Sequence, residues 1–292
     1  MRPIYRGGTY WNEDSGREII QVSFSGGRSS AYMTRRLLTE FSGLFDFIVT
    51  FANTSREHPR TLEFVHECDR HFGFGTVWLE AIAHPGERRS STHRVVTYET
   101  AARDGEVFEA YIRKYGVPNA AFPQCTRELK LNPMKSYLRS VGIDASKVKT
   151  AIGIRADEAR RVSKDAEAQS IIYPLVDWFP ADKADVLEWW RAQPFDLNLE
   201  EFEGNCRACF KKSMRKQFLQ IAKDPSAYDF TRRMELLYRD VGPQDGQRVF
   251  FRGNLDTDAV FALYREVAGG PMQPDAADEN GGCSESCEVY PT

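Results

Sequence analysis

Three groups of residues in this chain have types and spacings that can do chemistry. The first is Ser25-Gly26-Gly27-Arg28-Ser29-Ser30. Paired glycines let a backbone turn tightly and come close to a ligand. The serines beside them offer hydroxyls and can cap a helix whose first amides attract anions. The product is a phosphate cradle without the lysine of a GxxxxGK[ST] loop or the third glycine of a dinucleotide fingerprint. Read without its context, the same run is a plain glycine turn between a strand and a helix. The second group is the Cys206-x-x-Cys209 pair with Cys125, 81 positions before Cys206. Three thiols in this layout suit an iron–sulfur cluster with one iron left open, a zinc site completed by a fourth residue, or simple packing. The third group is Gly153-Ile154-Arg155-Ala156-Asp157-Glu158. Arginine's planar fork binds phosphate bidentately. Asp157 and Glu158 are hard oxygen ligands able to hold Mg²⁺ together with phosphate oxygens, or else the acidic start of a salt-bridged helix.

These groups need a scaffold, and the chain predicts one. Ile19, Ile20, Val22 and Phe24 form a buried-strand run directly before the glycine turn, and a helix is expected to about residue 42. Phe45 to Phe51 and Gly75 to Leu79 read as further strands, with a helix between them over Arg60 to Phe72. Strands are also expected at Val148–Ile154 and Ile171–Val176, and helices at Glu99–Tyr115, Lys135–Val141 and Ala181–Arg191, the last opened by Asp182. Strands alternating with helices imply a parallel sheet covered on both faces. Residues 1–17 read as a loose lead-in and Pro85–Val95 as an exposed loop. Helices are expected at Lys212–Ala222, Tyr228–Val241 and Asp256–Val267, and 269–292 as a flexible tail.

Composition narrows the function classes. The 292 residues are 41% hydrophobic, enough for a globular core and too many for wholesale disorder. A net charge of −3 gives no global basic field for nucleic acid, although Lys211, Lys212, Arg215 and Lys216 form a local basic run. No run is long enough to span a bilayer and the N-terminus has no secretory pattern, so a cytoplasmic location is expected. Six cysteines in such a chain point to metal or redox chemistry before a disulfide scaffold.

The segment Ser25–Ser30 resembles the pyrophosphate-binding loop (PP-loop) of the ATP-pyrophosphatase and phosphoadenylyl-sulfate (PAPS) reductase superfamily, whose pattern is Ser-Gly-Gly-x-Asp-Ser. Ser29 stands where that family usually has aspartate. The Gly153-x-Arg155 segment and the Tyr173-Pro174-Leu175…Trp178…Asp185-Val186 run resemble further family segments. The resemblance covers about Glu18 to Lys216. It implies a Rossmann-like α/β fold of the adenine nucleotide alpha hydrolase type, with a PP-loop domain over 18–222 and C-terminal helices over 223–268. It implies nucleotide contacts from Ser23, Ser25, Gly26, Gly27, Arg28, Ser29, Ser30, Asn53, Thr54, Arg127, Lys130, Gly153 and Arg155. Cys125, Cys206 and Cys209 look like the three-cysteine [4Fe–4S] set of PP-loop thiolating enzymes, with Gln124 where sulfonucleotide reductases carry one half of a cysteine pair. Arg155 and Asp157 are the implied catalytic residues, with Cys283 and Cys287 as tail thiols. Those two are equally read as ordinary exposed thiols.

The expectation is an ATP- and Mg²⁺-using enzyme that adenylates a substrate and accepts sulfur through a [4Fe–4S] cluster, with Zn²⁺ as the alternative metal. Implied partners are a nucleic-acid acceptor (tRNA or DNA), a sulfur donor such as a cysteine desulfurase, and a second copy of the chain in a homodimer. The rivals are a PAPS or adenylyl-sulfate reductase that releases sulfite, and a nucleotide-binding accessory protein without chemistry.

Overall fold

A computed structural model describes residues 1–204, 206–242 and 247–268. Among these, eight strands form one mixed sheet. Its centre is parallel: β3 (Arg17–Ser23) lies between β4 (Phe45–Asn53) and β7 (Lys149–Ile152), β4 continues to β5 (Val77–Ile82), and β7 to β8 (Ile171–Ile172). β6 (Thr92–Val96) closes one edge antiparallel to β5. The hairpin of β1 (Pro3–Arg6) and β2 (Thr9–Asn12) pairs with the first residues of β3, so that edge of β3 is shared between β2 and β7.

The alternation of β3 decides which helices cover which face. Ile20, Val22 and Phe24 enter a core with α1 (Arg28–Glu40), α2 (Pro59–Phe72) and α6 (Lys183–Arg191), centred on Met33, Leu37, Phe64 and Trp190. Ile19 faces the other way and packs with Leu138 of α4 (Asn132–Ser140). A second large core joins α3 (Glu106–Tyr115) to α7 (Met214–Lys223), α8 (Asp229–Tyr238) and α9 (Thr257–Ala268), through Ile112, Cys125, Ile221, Met234 and Val260. The C-terminal helices therefore share their core with residues before 130. Glu235 of α8 helps hold them. Its buried carboxylate accepts from the Phe250 amide at 2.9 Å, the Thr257 amide at 2.9 Å and the Thr257 hydroxyl at 2.7 Å.

Several expectations change. The lead-in over 1–17 is a hairpin, stapled by Asn12 and Arg17 to the Asp46 carboxylate, which also bonds Ser15. The polar stretch before Val96 contains strand β6, whose Arg94 grips the fully buried Glu80 at 2.6 Å. Helix α3 starts at Glu106, seven residues later than its periodicity suggested. Gly105 takes a left-handed φ of +97° at its N-cap, and Phe230 packs against it so closely that a Cβ there would lie 2.4 Å from the ring. The expected strand at 171–176 is only Ile171–Ile172 and then turns into the short helix α5 (Pro174–Asp177). Arg127–Leu131 forms a π turn ahead of α4. Among the described residues no helix is long and apolar enough to cross a membrane.

Candidate nucleotide pocket and cysteine cavity

The chemistry-bearing segments meet beyond the C-terminal ends of the parallel strands, where α/β sheets place ligands. Ser25–Ser30 follows β3, Asn53–Glu57 follows β4, and Gly153–Arg155 follows β7. The loop after β3 and the segment after β7 open on a cavity of about 310 Å³.

Gly26 makes the bend at φ +78°, and a Cβ there would lie 2.7 Å from the Thr61 methyl. Helix α1 then begins with Gly27 as its N-cap and no side-chain cap. This differs from the sequence expectation of serine caps, because Ser29 and Ser30 already lie inside the first turn. Ser30 instead ties the loop to itself. Its hydroxyl donates to the Gly27 carbonyl at 3.0 Å, accepts from the Ser25 amide at 3.2 Å, and lies 2.9 Å from the Ser25 hydroxyl. Gly153 packs so closely that a Cβ would lie 2.8 Å from Ser30 Cα. That approach is what lets Arg155 reach the loop.

Arg155 is 6% exposed and lines the cavity. Its Nη1 donates to the Ser29 hydroxyl at 3.2 Å, and its Nε and Nη2 donate to the two Asp157 oxygens at 2.9 and 3.1 Å. Burial pushes the Asp157 carboxyl up, but the hydrogen bonds and charge of Arg155 outweigh it and hold the group below its ordinary value. Glu158 also lines the cavity, between Arg155 at 3.5 Å and Arg161. Asp157 and Glu158 thus serve guanidinium groups in this state, the salt-bridged alternative to a Mg²⁺ role in the sequence reading.

Other expected nucleotide contacts sit elsewhere. Arg28 lines the cavity but is clamped by Asp196, with both N–H···O distances 2.7 Å. Ser23 is buried within β3, away from the cavity wall. Asn53 and Thr54 are buried too: Asn53 donates to Glu80 at 2.7 Å and to the Ala102 carbonyl at 2.8 Å, and Thr54 donates to Glu57 at 2.8 Å. Arg127 and Lys130 lie on the π turn, where helical i, i+3 facing does not hold, and neither lines the 310 Å³ cavity. Lys183 and Glu201 were not expected and do line it. Glu201 accepts from Lys183 at 3.0 Å and Lys216 at 2.9 Å. Burial acts to raise its carboxyl, and the two lysines overcome that and bring it down to about 2. No local pattern marks these residues, since they come from three separate helical segments.

The three cysteines of the sequence reading converge. Cys125, Cys206 and Cys209 all line a second, smaller cavity of about 30 Å³. The turn after β4 builds its wall. Glu57 bridges to Cys206, the Arg207 amide donates to the Arg56 carbonyl at 2.8 Å, and the Cys206 sulfur lies 3.4 Å from the Thr54 hydroxyl and 3.9 Å from Glu57 Oε1. Ser55 and Ala208, on the two sides of this junction, take left-handed φ values of +63° and +51°, a backbone cost that concentrates at functional sites. Among the described residues no three Cys, His, Asp or Glu side chains are grouped closely enough to hold a metal ion, the three thiols included. Cys68 is separate, packed in the first core, where burial pushes its thiol up. Cys283 and Cys287 lie outside the described residues.

One segment connects the two cavities. Leu197, Leu199, Glu200, Glu201 and Gly204 line the first, and Cys206 and Cys209 the second.

The chain is 31% identical over 288 residues to the uncharacterized nin region protein ORF290 of Escherichia phage lambda, covering 93% of this chain and 95% of that protein. Two uncharacterized proteins of Methanocaldococcus jannaschii, MJ0973 and MJ0066, are 27% and 25% identical over 56% and 60% of this chain. The matches span only 34% and 31% of those two longer proteins. A crystal structure of the PAPS reductase of Candida auris in complex with phosphate is 14% identical, with a TM-score of 0.35, over 61% of this chain and 74% of that one. No protein-family model matches the chain.

Two predictions follow from this geometry. Gly153→Ala forces a methyl into the Ser30 backbone; it is expected to cost about 1–3 kcal/mol of stability by urea unfolding. Glu201 has a folded pKa below its ordinary value of 4.5, at about 2. Its bridge to Lys183 and Lys216 is therefore fully present above the unfolded pKa and is lost as pH falls toward the folded one. Glu201→Gln is expected to melt below the parent protein at pH 7, with the gap closing between about pH 5 and 2; an unchanged gap across that range contradicts the assignment.

Proposed function

The chain belongs to the family of the nin region protein ORF290 of Escherichia phage lambda, and on that premise we propose that it is a PP-loop enzyme that binds ATP and activates a substrate for sulfur transfer. One observation carries the reading: the Ser25–Ser30 loop and buried Arg155 form adjoining walls of a cavity of about 310 Å³, large enough for a nucleotide. The first-turn amides of α1 and the loop hydroxyls face the position a polyphosphate would take, at the positive end of a helix.

In this reading Asp157 and Glu158 occupy Arg155 until a polyphosphate takes their place. A phosphate accepts the same bidentate pair that Asp157 accepts now. A substrate oxygen attacks the α-phosphorus, the bond to the β-phosphate oxygen breaks, and pyrophosphate leaves. Preorganised amides and Arg155 stabilise the charge that develops. A hydrosulfide equivalent then attacks the activated carbon, and AMP leaves with the original oxygen. Mg²⁺ fits the two carboxylates only once phosphate has drawn Arg155 away, so no step is assigned to it. Cys125, Cys206 and Cys209 are the residues that would hold an iron–sulfur cluster. When bound, such a cluster would supply an iron at which sulfur can be held. A nucleic acid is the acceptor class that the family resemblance implies; the run at Lys211–Lys216 does not add to it, since Lys212 is buried and Lys216 pairs with Glu201.

The test is release of pyrophosphate and AMP from ATP by anaerobically prepared full-length protein, with tRNA and DNA supplied as acceptors. Turnover is expected, and Arg155→Ala is expected to lower kcat/KM by about 10²-fold, or ~2.7 kcal/mol. Sulfite release from a sulfonucleotide with thioredoxin, without ATP turnover, would replace this reading with that of a reductase. ATP binding with no turnover on any acceptor would leave an accessory protein.

A further inference from the structure

The cavity of about 310 Å³ has two kinds of wall. One is the Ser25–Ser30 loop with Arg155, whose amides, hydroxyls and guanidinium suit phosphate. The other is aliphatic. Val186 and Leu187 of α6 form it together with Leu197 and Leu199 from the stretch that follows that helix. Val186, Leu197 and Leu199 belong to the core that also holds Met33 and Trp190, and Leu187 is half-buried. The edge of that core is therefore part of the cavity surface.

Hydrogen bonds fix this wall beside the loop. The Trp190 indole N–H donates to the Arg28 carbonyl at 3.1 Å. The Arg28 guanidinium donates to both Asp196 oxygens at 2.7 Å and to the Leu199 carbonyl at 3.3 Å. Arg28 thus holds the aliphatic wall in place. The turn after β4 offers no comparable surface. Asn53 and Thr54 are 0% and 1% exposed, and neither lines the cavity. The Ser55 hydroxyl is spent as well, donating to the Thr54 carbonyl and accepting from the Val107 amide.

We propose that Val186, Leu187, Leu197 and Leu199 seat the base of the nucleotide, packed against one face of the ring, while its phosphates lie on the Ser25–Ser30 loop. A free phosphate or sulfate uses the polar wall alone. A ligand with an anionic end and a flat, largely apolar body uses both, and burying that body adds affinity. The inference rests on reading this cavity as a nucleotide pocket. It moves base recognition away from Asn53 and Thr54 to α6 and the stretch after it.

The probes are ATP and inorganic tripolyphosphate, titrated calorimetrically into the full chain. The parent protein is expected to bind both, and ATP more tightly. Leu187→Asn is expected to weaken ATP binding by about tenfold and to leave tripolyphosphate binding unchanged, whereas Leu187→Met keeps the parent affinity for ATP. An unchanged ATP affinity in Leu187→Asn overturns the proposal, and so does an equal loss for tripolyphosphate, which marks a general disturbance of the cavity. Photolabelling of the parent protein with 2-azido-ATP needs no variant. Label is expected between Val186 and Leu199, and label found only outside that stretch overturns the proposal. The two readings fail separately. Equal affinity for ATP and tripolyphosphate leaves the phosphate site standing and removes the base seat. Binding of neither ligand removes the nucleotide reading and the seat with it.

Discussion

The contact between Gly153 and the Ser30 backbone is the constraint on which the first site depends. Two parallel strands, β3 and β7, run side by side and must each turn away at their C-terminal ends. A side chain at either turn would hold the two segments apart. Gly26 lets the first turn bend against Thr61, and Gly153 lets the second lie on the start of α1. Only then does Arg155 come within hydrogen-bond distance of Ser29. Asp157 supplies a carboxylate to this guanidinium from the arginine's own segment, which balances its charge within the pocket.

The second site is built by the same topology one strand along. The turn after β4 is too buried to read a nucleotide. Asn53 spends its side chain on Glu80, and Thr54 spends its own on Glu57. What this turn does is receive the Cys206 segment through a short bridge and place Arg56 among the thiols. The π turn after Cys125 contributes from the other side. Its buried Glu128 accepts from the Ser91 amide and from the Tyr115 hydroxyl at 3.0 Å. Burial raises that carboxyl, but these donors outweigh it and keep the group below its ordinary value.

Between the two sites runs the stretch from Asp196 to Cys209. Asp196 clamps Arg28 of the Ser25–Ser30 loop, and Glu201 joins Lys183 of α6 to Lys216 of α7. One continuous run of backbone therefore forms part of both walls.

Strand β3, the glycine turn, helix α1, and the Gly153-x-Arg155 segment were legible from residue types alone, because apolar alternation and paired glycines act over a few neighbouring residues. So was the pairing of Cys206 with Cys209. The hairpin over residues 3–12 and strand β6 were not legible, since their stability comes from pairing with distant strands and from Asp46 and Glu80. Nor was the start of α3, set by Phe230 more than a hundred residues away. Sequence determined where the glycine turn, the Gly153-x-Arg155 segment and the cysteine pair lie. Only the tertiary structure decided that Asp157 neutralises Arg155, that Asn53 is buried, and that Arg56 meets the cysteines, because each of those outcomes depends on burial and charge contributed by segments far apart in the chain.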